Sequence, residues 1–187
     1  IGSQYGIESI ILPKLNKKYY LLDIKGFQRT LSFKNIINNL LFPIRFLYAY
    51  YLCYFIIKKM KPNIVIGTGG YASGIPILSS IKMNIKTLIH EQNSYPGITT
   101  RNLANKVNKV CLTTDDSKKY LKGNLIVTGI PIRNSLISIN KQTACKKLGL
   151  SINKKTVFIL GGSQGSVAFN NYFENTFKFY LENNFQL

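Results

Sequence analysis

The sequence has 187 residues, 45% hydrophobic and 17% charged, so it can bury a core and lacks the composition of a disordered chain. Its 25 Lys and Arg outnumber 7 Asp and Glu, which gives a net charge of +18. This charge favours an anionic partner, with lysine drift in an A/T-rich genome as the alternative source. Because few of the cations are Arg, which nucleic-acid-binding proteins prefer, we expect no nucleic acid.

The first half of the chain predicts two short strands, a long helix and a strand that enters a glycine-rich turn. The predicted bounds are Ile7–Leu12 and Tyr19–Ile24 for the first strands, Ile36–Met60 for the helix and Asn63–Ile66 for the third strand. A break in the long helix is expected at Pro43. After the turn, a helix is predicted around Gly74–Ser80, with Pro76 in its first turn.

The second half of the chain alternates short apolar strands with helices. The predicted strands are Lys86–Ile89, Lys109–Leu112, Asn124–Thr128 and Thr156–Leu160. The predicted helices are Thr99–Lys106, Thr143–Leu148 and Ser166–Leu181. This alternation predicts an α/β fold with a parallel sheet.

The helix over residues 36–60 is the most apolar segment, but polar residues and Pro43 interrupt it, so we do not expect a transmembrane span. Leu40, Ile44, Leu47 and Tyr51 recur at helical spacing and form one stripe. The stripe has two interpretations: packing against a sheet, or contact with a membrane interface beside a lysine-rich helix end. Both can hold for different residues of one helix.

Two glycine-rich turns follow predicted strands, at Gly67–Gly74 and Gly161–Gly165. Glycine lets backbone N–H groups and a helix N-terminus approach an anion, so the pair favours diphosphate binding. Neither turn matches the dinucleotide or P-loop pattern, and a simple tight turn is the alternative.

A run of four polar residues, His90-Glu91-Gln92-Asn93, follows the strand at 86–89. Its amides suit sugar hydroxyls or an acetamido group. His90 and Glu91 could transfer protons, but support of the loop is the favoured interpretation. Cys53, Cys111 and Cys145 lack metal-ligand spacing and His90 is the one histidine, so no metal or cofactor is expected.

Four motifs together resemble the GT-B glycosyltransferases of family 28. They are GTGGYASG at 67–74, HEQNSYPG at 90–97, GIPIR at 129–133 and GGSQG at 161–165. The resemblance implies a Rossmann-like N-terminal acceptor and membrane-facing domain at 1–133, a linker region at 134–154 and the start of a UDP-sugar-binding domain at 155–187. It also implies that the first strand, its glycine-rich loop with the proposed base, and most of the second domain lie outside this sequence, which by itself should be inactive.

The resemblance implies an inverting N-acetylglucosaminyltransferase of peptidoglycan synthesis, and so a role in cell shape and division. UDP-GlcNAc would be the donor and undecaprenyl-pyrophosphoryl-MurNAc-pentapeptide the acceptor, without a metal. The enzyme would bind peripherally to the anionic cytoplasmic face of the bacterial plasma membrane. The alternatives are a related GT-B transferase with another lipid acceptor, or an inactive membrane-docking or nucleotide-sugar-binding remnant.

The resemblance also implies site residues. Those for UDP-GlcNAc are Asn93, Arg133 and Ser163; those for the acceptor diphosphate are Gly69, Gly70 and Tyr71. Supporting residues are His90, Glu91, Gln164 and Asn170, and the membrane patch is Leu40, Ile44, Leu47 and Tyr50. Two positions depart from the family pattern, because Ile130 and Thr100 stand where Asn is usual.

Overall fold

The computed structural model describes residues 1–24, 26, 32–162 and 165–187. Contacts within the chain divide it into two compact units, Ile1–Ile130 and Pro131–Leu187. The predicted domain and linker bounds at 133 and 154 stay predictions.

The first unit contains a parallel sheet and the helices that cover it. Its strands are β1 (Gly2–Ser3), β2 (Leu21–Leu22), β3 (Ile64–Gly67), β4 (Lys86–Glu91), β5 (Lys109–Leu112) and β6 (Leu125–Val127). Its helices are α1 (Glu8–Ile11), α2 (Phe33–Leu40), α3 (Phe42–Met60), α4 (Gly70–Lys82) and α5 (Ile98–Leu103), with 3-10 helices at Leu12–Lys14 and Asp115–Tyr120.

The central sheet has the order β3-β4-β5-β6, and every pair in it is parallel. Gly67 pairs with Ile89, and Glu91 pairs with Leu112. Strands β1 and β2 form a separate parallel pair. The predicted α/β fold with a parallel sheet is confirmed, and the carboxyl ends of β3, β4 and β5 meet at one edge.

Two buried clusters form the core of this unit. The first lies between the sheet and helices α4 and α5: Ile77, Ile89, Leu103, Ala104, Val107, Val110, Leu112 and Leu121. The second joins β2 to helices α3 and α4: Leu22, Ile24, Ala49, Cys53 and Ile75. Burial raises the pKa of the Cys53 thiol to about 12, so this cysteine is an apolar packing residue rather than a nucleophile.

The predicted strand at Ile7–Leu12 is wrong, because residues 8–11 form α1 and a 3-10 helix follows. Ile7, Ile10 and Ile11 have the i, i+3, i+4 spacing of a helix, and Pro13 suits the first turn of the 3-10 helix. The predicted strand at Tyr19–Ile24 is shortened to β2, which pairs only with the two residues of β1.

The predicted long helix consists of two helices, α2 and α3, with the break at Leu41. Pro43 lies in the first turn of α3, where a missing N–H costs little. Helix α4 begins at Gly70, four residues before the predicted start, so Pro76 lies inside it rather than in its first turn. In the part of the chain that the structure describes, no helix is both long and apolar enough to cross a membrane.

The second unit contains α6 (Asn134–Ile137), α7 (Lys141–Leu148), β7 (Lys155–Thr156), α8 (Val167–Glu182) and β8 (Phe185–Gln186). Asn140 caps α7 by accepting a hydrogen bond from the Thr143 N–H at 2.8 Å. The strand predicted at Thr156–Leu160 is wrong beyond Thr156. Its parallel partner β8 has only two residues, and Phe158 and Leu160 are exposed.

Candidate functional site

The carboxyl edge of the central sheet brings the first glycine turn next to the polar run 90–93. A Cβ placed on Gly69 would lie 3.5 Å from Oε1 of Gln92. The carbonyl of Glu91 accepts hydrogen bonds from the N–H and the hydroxyl of Thr113, both at 3.0 Å. Residues that follow β3, β4 and β5 therefore form one continuous rim, as expected at the ligand-binding edge of such a sheet.

The glycine turn has a backbone that favours glycine. Gly69 and Gly70 have φ values of +89° and +75°, which other residues adopt only with strain. Gly69 provides no side-chain cap for α4, so the N–H groups of the first turn remain for an anion. The Gly70 carbonyl accepts hydrogen bonds from the hydroxyls of Ser73 and Thr99, each at 3.1 Å, and the second bond joins the turn to α5.

Tyr71 lies in the first turn of α4 and is 36% exposed. Its side chain lines a cavity of about 140 Å³ together with Ile24, Phe42, Phe46 and Ile75. A Cβ on Gly26 would clash with the Tyr71 ring. One side of the Tyr71 ring thus packs on apolar residues of the first unit, and its role at the acceptor diphosphate stays a prediction.

His90 and Gln92 form a closed hydrogen-bond network. The His90 Nε2 lies 3.0 Å from the Gly129 carbonyl, which can only accept, so Nε2 carries the proton. The Gln92 amide donates to the His90 carbonyl at 3.1 Å and to the His90 Nδ1 at 3.0 Å. Both ring nitrogens are thus used within the protein, which supports a structural role for His90 rather than proton transfer.

Glu91 is a carboxylate with 2% exposure inside the same loop. Its Oε1 accepts from the Asn93 backbone N–H at 3.1 Å and from the Asn93 Nδ2 at 2.9 Å. Its Oε2 accepts from the Gly97 N–H at 3.1 Å. A single carboxylate therefore closes the loop from Asn93 to Gly97, which is where α5 begins.

The pKa of Glu91 is lower than that of an ordinary glutamate. Burial is the largest single influence and raises the pKa, but it is outweighed by the Thr100 hydroxyl and by the donors of Asn93 and Gly97. The Thr100 Oγ1 is buried close enough to lower the pKa of the carboxylate, although it forms no hydrogen bond of ordinary geometry among the described residues.

Asn93 is fixed on its other side as well. Its carbonyl accepts a hydrogen bond at 3.0 Å from the hydroxyl of Ser117, in the 3-10 helix after β5. The residue is nevertheless exposed at the rim. A predicted donor-binding side chain thus has a fixed backbone and an accessible end.

The second unit contains the remaining predicted site residues. Arg133 is exposed and forms the N-terminal boundary of α6. Asn170 is exposed in the first turn of α8, and its N–H donates to the Ser166 carbonyl at 2.9 Å. Ser163 and Gln164 lie outside the described residues. Ile130, which ends the first unit, is exposed.

The predicted apolar stripe on α2 and α3 is exposed. Leu40 is 76% exposed and Leu47 is 55% exposed. The stripe, defined here by its exposed members, is Leu40, Ile44, Leu47, Tyr48, Tyr51 and Phe55. Tyr50, expected in the membrane patch, instead packs against the second core cluster, and the neighbouring Tyr51 takes its place on the exposed face.

Sequence reasoning missed two contacts of the site. Gln92 was predicted to be one of the sugar-binding amides, and the structure adds its hydrogen bonds to His90. Thr99 contacts the Gly70 carbonyl, and Gly129 contacts His90, 39 residues away in the sequence. Neither of these two contacts has a local sequence signal. Within residues 1–24, 26, 32–162 and 165–187, there is no cluster of three or more candidate metal ligands.

Comparison with known proteins identifies relatives of this chain. The profile of the "Glycosyltransferase family 28 N-terminal domain" matches residues 1–112. A protein of Bacillus pumilus (strain SAFR-032) is 40% identical over 171 residues, which is 91% of this chain and 46% of that protein. Its name is UDP-N-acetylglucosamine--N-acetylmuramyl-(pentapeptide) pyrophosphoryl-undecaprenol N-acetylglucosamine transferase. A Bacillus subtilis (strain 168) protein of the same name is 38% identical with the same coverage.

A solved structure agrees with the sequence comparison. The crystal structure of Acinetobacter baumannii MurG matches with a TM-score of 0.65 and 26% identity over 94% of this chain and 47% of that one. The chain thus spans about half the length of the curated relatives it matches. The resemblance predicted from the four motifs is confirmed, and because the family profile covers more than half of its residues, the chain belongs to glycosyltransferase family 28.

Proposed function

We propose that this chain forms part of an inverting transferase that moves N-acetylglucosamine from UDP-GlcNAc to undecaprenyl-pyrophosphoryl-MurNAc-pentapeptide. The observation that carries the proposal is 40% identity over 91% of the chain to a transferase whose name states these groups. The geometry supports it, because a glycine turn suited to a diphosphate lies beside amides suited to a sugar.

In the proposed reaction, the C4 hydroxyl oxygen of the muramoyl sugar attacks C1 of GlcNAc. The bond from C1 to the diphosphate oxygen breaks, UDP leaves, and the hydroxyl proton passes to a base. The engaged ring nitrogens of His90 make that residue unsuitable as the base. N–H groups at the start of α4 are suited to bind the acceptor diphosphate, and Asn93 is suited to contact the donor.

The three predicted parts of the chain would then have different tasks. Residues 1–133 would bind the acceptor and the membrane, 134–154 would connect the domains, and 155–187 would begin the domain that binds the UDP-sugar. Arg133 and Ser163 would contact the donor. This division follows the family resemblance, and the glycine turn suited to the acceptor diphosphate lies at the start of α4, within residues 1–133.

The exposed stripe supports a peripheral position on the cytoplasmic face of the plasma membrane. Within α3, from Ile44 to Phe55, it extends about 17 Å along the helix at 1.5 Å per residue, and Leu40 adds to it from the end of α2. Lys58, Lys59 and Lys61 are exposed beyond its end and suit an anionic lipid surface. A lipid-linked acceptor would thus be met at the surface in which it is anchored.

The test uses the protein expressed from its complete reading frame. It is incubated with radiolabelled UDP-GlcNAc and the undecaprenyl-linked acceptor in anionic vesicles, and the labelled lipid product is separated by chromatography. The proposal predicts a lipid product that contains GlcNAc and an equal amount of UDP. Transfer to a different lipid would favour a related GT-B transferase, and UDP-GlcNAc binding without transfer would favour an inactive remnant.

A further inference from the structure

The two carboxamides of the loop 90–93 are oriented by groups that can only accept hydrogen bonds. Asn93 directs its Nδ2 to the Glu91 carboxylate at 2.9 Å, and Gln92 directs its Nε2 to the His90 carbonyl at 3.1 Å. An ionised carboxylate and a carbonyl have no proton to donate, so each must face an NH2 group. The oxygen of each amide is consequently the end that is not anchored.

The amide oxygens remain available at the rim. Among the described residues, no hydrogen bond engages the Asn93 Oδ1 or the Gln92 Oε1. Asn93 is exposed, and the Gln92 oxygen lies beside Gly69. The loop therefore presents two hydrogen-bond acceptors next to a turn that presents backbone donors.

Glu91 determines the orientation of Asn93 because it is buried and receives donors from several sides. The Asn93 and Gly97 N–H groups donate hydrogen bonds to it, and the nearby Thr100 hydroxyl lowers its pKa. A neutral side chain at this position could donate a hydrogen bond or leave the Asn93 amide free to turn. With the carboxylate present, turning would place the amide oxygen against a negative charge.

We propose that Glu91 is a positioning residue that orients the Asn93 carboxamide with its oxygen outward, and that His90 does the same for Gln92. The loop 90–93 then forms an acceptor surface that recognises the hydroxyl and acetamido N–H groups of the sugar. This inference rests on the proposed function and specifies which part of the nucleotide sugar the loop contacts.

The outward amide oxygens of the loop 90–93 and the N–H groups at the start of α4 attract different parts of a nucleotide sugar. Phosphate oxygens are acceptors, so two outward carbonyl oxygens repel them, whereas the N–H groups at the start of α4 attract them. A site that accepts hydrogen bonds from a ligand discriminates strongly against an analogue without the donor, because its buried polar groups then lack a partner. The loop thus supplies selectivity for the sugar rather than affinity for UDP.

The test is a double-mutant cycle on the protein from its complete reading frame, with UDP-GlcNAc and UDP titrated separately by calorimetry. Asn93→Ala should weaken UDP-GlcNAc binding about tenfold, the effect of one hydrogen bond of ordinary strength, and leave UDP binding unchanged. Glu91→Ala should show the same pattern, and the double variant should be no weaker than either single variant, because Glu91 acts through Asn93.

A second measurement does not depend on any Glu91 variant. Each hydroxyl of the sugar in UDP-GlcNAc is replaced in turn by fluorine, which cannot donate, and the acetamido N–H is replaced by an ester oxygen. One replacement should weaken binding to the unaltered protein about tenfold and have no effect on Asn93→Ala. This coupling would show that the Asn93 carboxamide presents its oxygen to a donor of the sugar, which is the orientation that the Glu91 carboxylate imposes.

Several results would overturn the inference. The first is an equal loss of affinity for UDP and for UDP-GlcNAc in Glu91→Ala. The second is additive losses of UDP-GlcNAc affinity when Glu91→Ala and Asn93→Ala are combined. The third is unchanged affinity of the unaltered protein for every analogue that lacks a donor, while Asn93→Ala still weakens binding of UDP-GlcNAc. If Glu91→Ala does not fold, as monitored by circular dichroism, the analogue series decides alone. Failure of the unaltered protein to bind UDP-GlcNAc would refute the proposed function, and this inference with it.

Discussion

Glu91→Ala should lower the stability of the protein as well as its ligand selectivity. The substitution removes a carboxylate that accepts hydrogen bonds from two backbone N–H groups, those of Asn93 and Gly97. Hydrogen bonds to a charged group contribute about 1.5 kcal/mol each at the lower end of the usual range, so the expected loss at pH 7 is about 3 kcal/mol. Asp116→Ala, an exposed carboxylate of the same unit, is the control and should change the free energy of unfolding by less than about 0.5 kcal/mol.

The loss should depend on pH in one direction. The pKa of Glu91 is lower in the folded protein than in the unfolded chain, so its ionised form favours folding. That contribution is complete above the ordinary glutamate pKa of about 4.3 and disappears as the pH falls through the lower folded value. The difference between Glu91→Ala and the unaltered protein should therefore be constant near neutral pH and decrease below about pH 4.

Urea unfolding followed by circular dichroism at a series of pH values measures this difference. A loss below about 0.5 kcal/mol at pH 7 would show that the hydrogen bonds to the Glu91 carboxylate do not stabilise the folded protein. A difference that grows on acidification would show that the pKa of Glu91 is raised rather than lowered.

Three further predictions concern the turn, the stripe and Arg133. Gly70→Ala and Gly149→Ala should each lower the free energy of unfolding by about 1 kcal/mol, because both glycines have positive φ and open space at Cβ. Only Gly70→Ala should also weaken binding of the acceptor. Equal acceptor binding by the two variants would argue against the turn 67–74 as the acceptor site. The double substitution Leu40→Asp with Leu47→Asp should lower the affinity for anionic vesicles, measured by co-sedimentation, about tenfold. The control Ile7→Asp with Ile10→Asp adds the same charge at exposed positions outside the stripe and should leave the affinity nearly unchanged. Equal losses in both variants would show that the stripe does not bind the membrane specifically. Arg133→Ala should reduce kcat/KM for UDP-GlcNAc about tenfold or more, whereas the exposed Lys141→Ala should not; an unchanged value for Arg133→Ala would remove it from the donor site.

Sequence patterns predicted which residues meet at this edge of the sheet, because parallel strands bring their carboxyl ends together. The strand predicted at 109–112 matches β5, and the strand predicted at 86–89 lies within β4. Once these strands are parallel, the residues after β3 and β4 must meet, so the proximity of Gly69 to the run 90–93 follows from topology alone.

The orientation of the amides could not be predicted in this way. It depends on Glu91 facing Asn93, Gly97 and Thr100 together, and on a carbonyl at Gly129 that is distant in sequence. The motif specifies the residue types, whereas the packing of α5 and the loop after β6 specifies which end of each amide faces outward.

The exposed face of α3 shows a similar limit. Helical spacing groups Leu40, Ile44, Leu47 and Tyr51, but Tyr50 lies about 100° around the helix from Tyr51 and faces the Leu22 cluster. The positions of β2 and α4 decide which side of α3 is buried. The strand predicted at residues 7–12 was wrong for a related reason, because the spacing of its isoleucines suits a helix as well as a strand.

A crystal structure of the protein from its complete reading frame with UDP-GlcNAc would test the account most directly. We predict that a hydroxyl or acetamido N–H of the sugar lies within about 3 Å of the Asn93 Oδ1, while the Nδ2 still faces Glu91. A sugar bound away from the loop 90–93, or a carboxamide turned with its nitrogen toward the ligand, would contradict it.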